Sequence, residues 1–202
     1  MIPLVIAVTG ASALQLAERS LQLLLENGHF IILILSKGAY KVWSAEQSIN
    51  IPINPLKQEE FWRNRLGTSK GQLICLRWND LAANVASGSY KTKGMVVIPS
   101  TMGTIGRINS GISLDLIERV ADVHLKEKRP LILVPREMPF NLIHLKNLTQ
   151  VTEAGALIVP PIPAWYTNPA NLDEMVDFIV ARIFDSLKIE LISISRWEGG
   201  TQ

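Results

Sequence analysis

Short runs of aliphatic and β-branched residues alternate along this chain with longer stretches of helical periodicity. That alternation constrains the fold more than any other feature. Residues 4–8 (LVIAV) are wholly apolar and end at Thr9-Gly10. Similar runs cover residues 31–35, 95–98, 131–134 and 156–159. Between them, residues 13–26 place Leu14, Ala17, Leu21 and Leu24 at helical spacing, and Asn27-Gly28 supplies a stop. Residues 37–47, 113–126 and 141–153 also read as helices. The last helix covers 171–187, with Asn171 as its cap and Asp173 and Glu174 in its first turn. The proline-containing stretch 48–71 reads as mostly loop with a short helix near Phe61, and Pro99 reads as the end of its strand. Strands alternating with helices imply crossover units, so a single doubly wound α/β domain with a mainly parallel sheet is expected. The domain spans 1–202 with a tail from about 188. Ligands of such sheets bind at the carboxyl ends of the strands.

Composition narrows the function classes. Twenty Lys and Arg against eighteen Asp and Glu give a net charge of +2, too small a surplus to indicate nucleic acid. Hydrophobic residues make up 48% and charged residues 19%, against a usual charged share of about 25%. Disorder is thereby excluded, and the sparse charge suggests an outer surface covered by other subunits. No apolar run approaches the ~18 residues of a membrane span. The N-terminus has no basic region ahead of its first strand, so a cytoplasmic location is expected. The single cysteine, Cys75, excludes an internal disulfide framework and multi-cysteine zinc sites. His29, His124 and His144 have no partner at ligand spacing, so no metal is expected.

Several segments could carry chemistry. Thr9-Gly10-Ala11-Ser12 joins the first strand to a helix, whose free amides and dipole favour a phosphate. The same residues also read as a plain capping box, Ser12 with Gln15. The glycine pattern of a dinucleotide site is absent, which disfavours NAD. Ser100-Thr101-Met102-Gly103-Thr104 follows a strand and reads either as an anion cradle or as an ordinary capped turn. Arg119 and Lys126 lie on one helix face opposite a stripe of Leu114, Ile117, Ala121 and Leu125, with Asp115 spaced to pair with Arg119. Arg136-Glu137 follows a strand directly, at the sheet's binding edge. Three prolines between 160 and 163 stiffen the approach to Trp165-Tyr166, and Trp197 stands in a polar tail.

Taken in order and spacing, these segments resemble the flavin prenyltransferase family, the UbiX type. The matching pieces are Thr9-Gly10-Ala11-Ser12, Ile34-Leu35-Ser36-Lys37, Glu46, Asn79-Asp80, Ala86-Ser87-Gly88-Ser89 and Leu116-Ile117-Glu118-Arg119. They continue with Leu125-Lys126-Glu127, Leu133-Val134-Pro135-Arg136-Glu137 with Pro139, Ala164-Trp165-Tyr166 with Pro169, Arg182, and Arg196-Trp197. The resemblance implies a Rossmann-like flavoprotein domain. It further implies transfer of a dimethylallyl group from dimethylallyl monophosphate to N5 and C6 of reduced FMN. The product, prenylated FMN, serves a UbiD-type decarboxylase. Members are metal-independent and commonly dodecameric, with active sites shared between subunits.

The resemblance also assigns roles. Gly10, Ala11, Ser12, Ser36, Thr101, Met102, Gly103, Thr104 and Arg136 would hold FMN. Ser87, Arg119, Lys126, Tyr166 and Arg182 would surround the prenyl phosphate. Ser12, Glu46, Glu137 and Trp197 would line the reacting centre as catalytic residues. Two departures stand out: Ala13 replaces a family glycine, where a helical first-turn alanine is expected to fit, and Gly103 stands where the family often has lysine. A non-catalytic FMN carrier and a flavin-dependent decarboxylase are the alternative readings. The decarboxylase type relies on a catalytic histidine and a cysteine-bearing clamp that this sequence lacks.

Overall fold

Every residue of the first strand, Leu4–Val8 (β1), is buried. A strand sends successive side chains to opposite faces, so β1 feeds two cores at once. Leu4, Ile6 and Val8 enter one, Val5 and Ala7 the other. The structure is a computed structural model that describes residues 1–191. Its other strands are Phe30–Leu35 (β2), Gln72–Arg77 (β3), Met95–Ser100 (β4), Leu131–Pro135 (β5) and Leu157–Ile158 (β6). They form one six-stranded sheet in the order β3-β2-β1-β4-β5-β6, with every pairing parallel. The chain thus winds outward from β1 in one direction and returns to start again at β4. The seam between β1 and β4 is the point where the strand order reverses, and loops leaving the two strands part there to open a crevice.

The helices are Leu14–Glu26 (α1), Lys37–Gln47 (α2), Pro55–Leu66 (α3), Met102–Asn109 (α4), Leu116–Lys126 (α5), Leu142–Glu153 (α6) and Leu172–Asp185 (α7). Residues of α1, α2, α3 and α7 pack into the core shared with Leu4 and Ile6, whereas α4, α5 and α6 pack on the opposite face. Arg19 of α1 grips Asp177 of α7 through both carboxylate oxygens, at 2.5 and 2.9 Å. Cys75 is buried in β3, and burial pushes its thiol up.

The fold departs from the sequence expectation in four places. Residues 48–71 contain a twelve-residue helix, α3, rather than mostly loop. Pro55 opens that helix, where a missing N–H costs nothing, and Asn54 caps the amides of Leu56 and Lys57. Trp62 of α3 is fully buried edge-on against Trp43 of α2. Second, β4 continues through Pro99 to Ser100, with its pairing to β5 shifting between Val97 and Ser100. Third, α5 begins at Leu116, not at 113. Asp115 caps it by accepting the Glu118 N–H, so the expected Asp115–Arg119 pair is replaced by Arg119–Asp122 at 2.8 Å, and Leu114 is exposed. Fourth, Ser12 and Gln15 form no capping box, because Ala13 occupies the cap position. Among the described residues no helix is long and apolar enough to cross a membrane, and no group of three His, Cys, Asp or Glu is placed to hold a metal.

Two predictions follow from this packing. Trp62→Ala should lower the unfolding free energy by about 3–5 kcal/mol in urea titration, the usual loss for a buried aromatic. His124 is fully buried. Its Nδ1–H donates to the Val120 carbonyl at 2.7 Å, and Nε2 lies 2.8 Å from the Thr92 hydroxyl. Burial holds its pKa below the ordinary value of 6.5. The unfolded chain therefore binds this proton more readily. Stability should be full above pH 6.5 and decline as pH falls below it, with a slope that His124→Gln reduces in thermal melts followed across pH.

Candidate active site

The carboxyl ends of β1, β2 and β4 each run into a helix, so three helix N-termini meet at one edge of the sheet. Each terminus leaves amides without intrahelical partners and carries a partial positive charge. Ser36 caps α2 by accepting from the Ala39 N–H at 3.1 Å, and Thr101 caps α4 by accepting from the Thr104 N–H at 3.1 Å. Accepting in this way leaves the Ser36 hydroxyl hydrogen free to donate, while that of Thr101 points to Thr104 Oγ1 at 3.0 Å. Met102 is buried in the core, so it can contribute only through its backbone, and Gly103 is exposed.

The β1 and β4 loops are stitched together by Thr9, which is 2% exposed. Its hydroxyl donates to the Pro99 carbonyl at 2.9 Å and accepts from the Thr101 N–H at 2.8 Å. Gly10 then passes the start of α2 so closely that a Cβ there would lie 3.0 Å from the Gly38 backbone. The loops can approach only because both residues lack side chains. Such a bare, amide-lined cradle with hydroxyl donors fits a phosphate-bearing ligand. In the sequence Thr9 stands only as the start of the Thr9-Gly10-Ala11-Ser12 segment, with no role of its own, and Gly38 belongs to no motif. A glycine one residue inside a helix after a Ser cap is the signal that could have found Gly38.

Ser12 turns away from α1. Its hydroxyl donates to Glu46 Oε2 at 3.1 Å, which brings these two residues together although they lie 34 positions apart. Ala13, the next residue, adopts φ 76°, in the left-handed region. The expected helical alanine is thus corrected: the family glycine at this place suits a conformation that an L side chain resists. Arg136 ties the β5 end to β4 through its N–H on the Ser100 carbonyl at 3.2 Å, and Glu137 accepts from the Met138 N–H at 3.2 Å. A cavity of about 840 Å³ lies mainly between α1 and α7 and reaches Ala13, Gln47 and Arg136, whereas Gly10, Ser12, Ser36 and the Thr101 to Thr104 turn do not line it.

The remaining candidates fall into two groups. Arg119 donates to the Ala86 carbonyl at 3.2 Å, next to Ser87, and Lys126 lies against Gly88. These belong to the α5 face. Tyr166 packs edge-on against Phe178 of α7, and Arg182 lies on α7 itself, 3.7 Å from Asp185. These belong to the opposite face. A single chain therefore does not gather the five residues. Trp197 lies outside the described residues.

The Flavoprotein family model matches residues 1–184. A flavin prenyltransferase UbiX from Synechocystis sp. is 50% identical over 201 residues, covering 99% of this chain and 98% of that protein. This chain belongs to the flavin prenyltransferase family. The crystal structure of AnUbiX (PadA1), in complex with FMN and dimethylallyl pyrophosphate, matches with a TM-score of 0.86 and 36% identity over 99% of both chains. The dodecameric FMN-dependent UbiX-like decarboxylase from Escherichia coli O157:H7 matches with a TM-score of 0.85 and 35% identity, over 98% of this chain and all of that one. The family and the doubly wound parallel fold read from sequence both stand.

Within the flavin prenyltransferase frame, Ala13 is the strained member of the first loop. A non-glycine residue in the left-handed region costs roughly 1–2 kcal/mol, against roughly 0.5–1 for the extra freedom of an unfolded glycine. Ala13→Gly should raise stability by about 0.5–1 kcal/mol, measurable as a higher denaturation midpoint.

Proposed function

We propose that this protein transfers the dimethylallyl group of dimethylallyl monophosphate to N5 and C6 of reduced FMN, releasing phosphate. The observation that carries this reading is the hydroxyl-and-amide cradle at the β1–β4 seam, in a chain 50% identical over almost its whole length to a flavin prenyltransferase. When bound, reduced FMN supplies the nucleophilic atoms that receive the prenyl group. Gly10, Ala11, Ser12, Ser36, Arg136 and the Thr101 to Thr104 turn hold it.

The chain's own residues manage charge and protons. Breaking the allylic C–O bond leaves negative charge on the departing phosphate. Ser87, Arg119, Lys126, Tyr166 and Arg182 receive that charge, each charge-assisted hydrogen bond contributing about 1.5–3 kcal/mol. Before substrate arrives, each cation has a carboxylate close by: Asp122 at 2.8 Å, Glu127 at 2.8 Å and Asp185 at 3.7 Å. These pairs are solvent-exposed, so exchanging them for phosphate costs little. Lys126 holds the Glu127 carboxyl below its ordinary value, which favours its charged form. Glu46, oriented by the Ser12 hydroxyl, and Glu137 stand ready to accept the proton lost when the C6 bond forms.

The two phosphate-binding groups sit on opposite sheet faces, so we infer that a complete site combines Ser87, Arg119 and Lys126 of one copy with Tyr166 and Arg182 of another. A dodecamer like that of the Escherichia coli relative would provide such contacts. The prenylated flavin is then handed to a decarboxylase of the UbiD type.

Mixing the protein anaerobically with reduced FMN and dimethylallyl monophosphate should raise the flavin mass by one prenyl unit; an unchanged flavin mass would sink the proposal. Glu137→Gln should bind FMN normally while losing about 100-fold or more in turnover, the usual span of a positioned proton acceptor.

A further inference from the structure

One ion pair beneath the cradle, Arg107 with Glu118, has no part in the reaction described above. Glu118 of α5 is buried, its side chain 1% exposed. Its Oε2 accepts the Leu114 N–H at 2.7 Å, and its Oε1 accepts from Nε of Arg107 on α4. Nη2 of that same guanidinium lies 3.3 Å from Thr104 Oγ1, where it donates. Thr104 Oγ1 also accepts from the Thr101 hydroxyl at 3.0 Å. A hydroxyl has two acceptor positions and one hydrogen. Arg107 and Thr101 fill both acceptor positions, so the Thr104 hydroxyl has only its hydrogen left to offer.

Geometry keeps the guanidinium near the cradle. Arg107 lies one turn after Gly103, and a Cβ at Gly103 would meet only Arg107 Nη1 at 3.5 Å and Thr101 Oγ1 at 3.9 Å. Nη1 makes no hydrogen bond among the described residues. The one glycine of this turn leaves that edge of the cation uncovered, and the Arg107 side chain is 39% exposed. A buried carboxylate without a partner is strongly unfavourable, so Glu118 holds Arg107 in place rather than letting it move into solvent.

We propose that Arg107, anchored by Glu118, is a positioning residue of the flavin cradle. It fixes the Thr104 hydroxyl as an obligate donor toward an acceptor atom of bound FMN. The inference rests on the FMN reading of the site.

The test is a double-mutant cycle on FMN affinity, read by quenching of flavin fluorescence, with thermal melting alongside. Replacing both partners as R107Q/E118Q avoids an unpaired buried charge. It should weaken FMN binding about tenfold in the natural background, the loss expected for one charge-assisted contact, and less than twofold when combined with Thr104→Val. The KM for the prenyl donor should stay unchanged. Equal losses in the two backgrounds, or full affinity in R107Q/E118Q, would overturn the inference. Should R107Q/E118Q fail to melt cooperatively, Arg107→Lys decides instead. It keeps the charge but not the fork, and should bind FMN several-fold more weakly; affinity equal to the natural protein overturns the proposal. Failure of the natural protein to bind FMN would instead refute the proposed function, and this inference with it.

Discussion

The site depends on one buried threonine. A parallel sheet normally lets loops at a switch point diverge, since the crossovers leave in opposite directions. Thr9 opposes that divergence by bonding to both sides of the β4 exit, at the Pro99 carbonyl and the Thr101 amide. The main-chain N–H of Thr9 adds a third bond to Pro99 at 3.2 Å. With the two exits tied at this depth, the crevice can open only above them. The Gly10–Gly38 approach extends the same constraint to α2. A side chain at either position would separate the loops that Thr9 draws together.

Electrostatics is arranged in two layers around this crevice. The layer beneath is buried and fixed: Glu118 sits inside the protein and commits Arg107 to one orientation. The outer layer is exposed and exchangeable, each proposed phosphate-binding cation resting on a nearby acid. Burial accounts for the difference. A desolvated pair is held because neither member can be left alone, whereas a hydrated pair gains little from staying together.

Much of the fold was legible because its strands are buried on both faces. The all-apolar runs of β1, β2 and β5 can be read as interior parallel strands without any long-range information, and their ends locate the binding edge. The error at α3 has a local cause. Pro55 marks a loop or the first turn of a helix equally well, and only the burial of Trp62 against Trp43 decides. Ser12 was half legible: its placement at the β1 exit was right, but its partner, Glu46, lies too far along the chain for a local pattern to connect them. The left-handed backbone of Ala13 was signalled only by the glycine that the family carries at this place. Arg107 belongs to no sequence motif, and Glu118 stands out only within the Leu116-Ile117-Glu118-Arg119 match. Their pairing arises where α4 and α5 pack, and the intervening turn at Gly111 conceals any periodic spacing between them. The separation of Arg119 from Arg182 was invisible as well, since sequence order carries no sign for the face of the sheet on which a helix lands.

The placement of Cys75 has a consequence for handling electrons. The proposed reaction needs a reduced flavin, and a disulfide formed from accessible sulfhydryls would draw electrons from it. Here the sole sulfhydryl of the chain is sealed within β3, and burial disfavours its reactive anionic form. The polypeptide therefore offers its ligand no accessible thiol with which to exchange electrons. Thiol–disulfide exchange is thereby kept apart from the flavin.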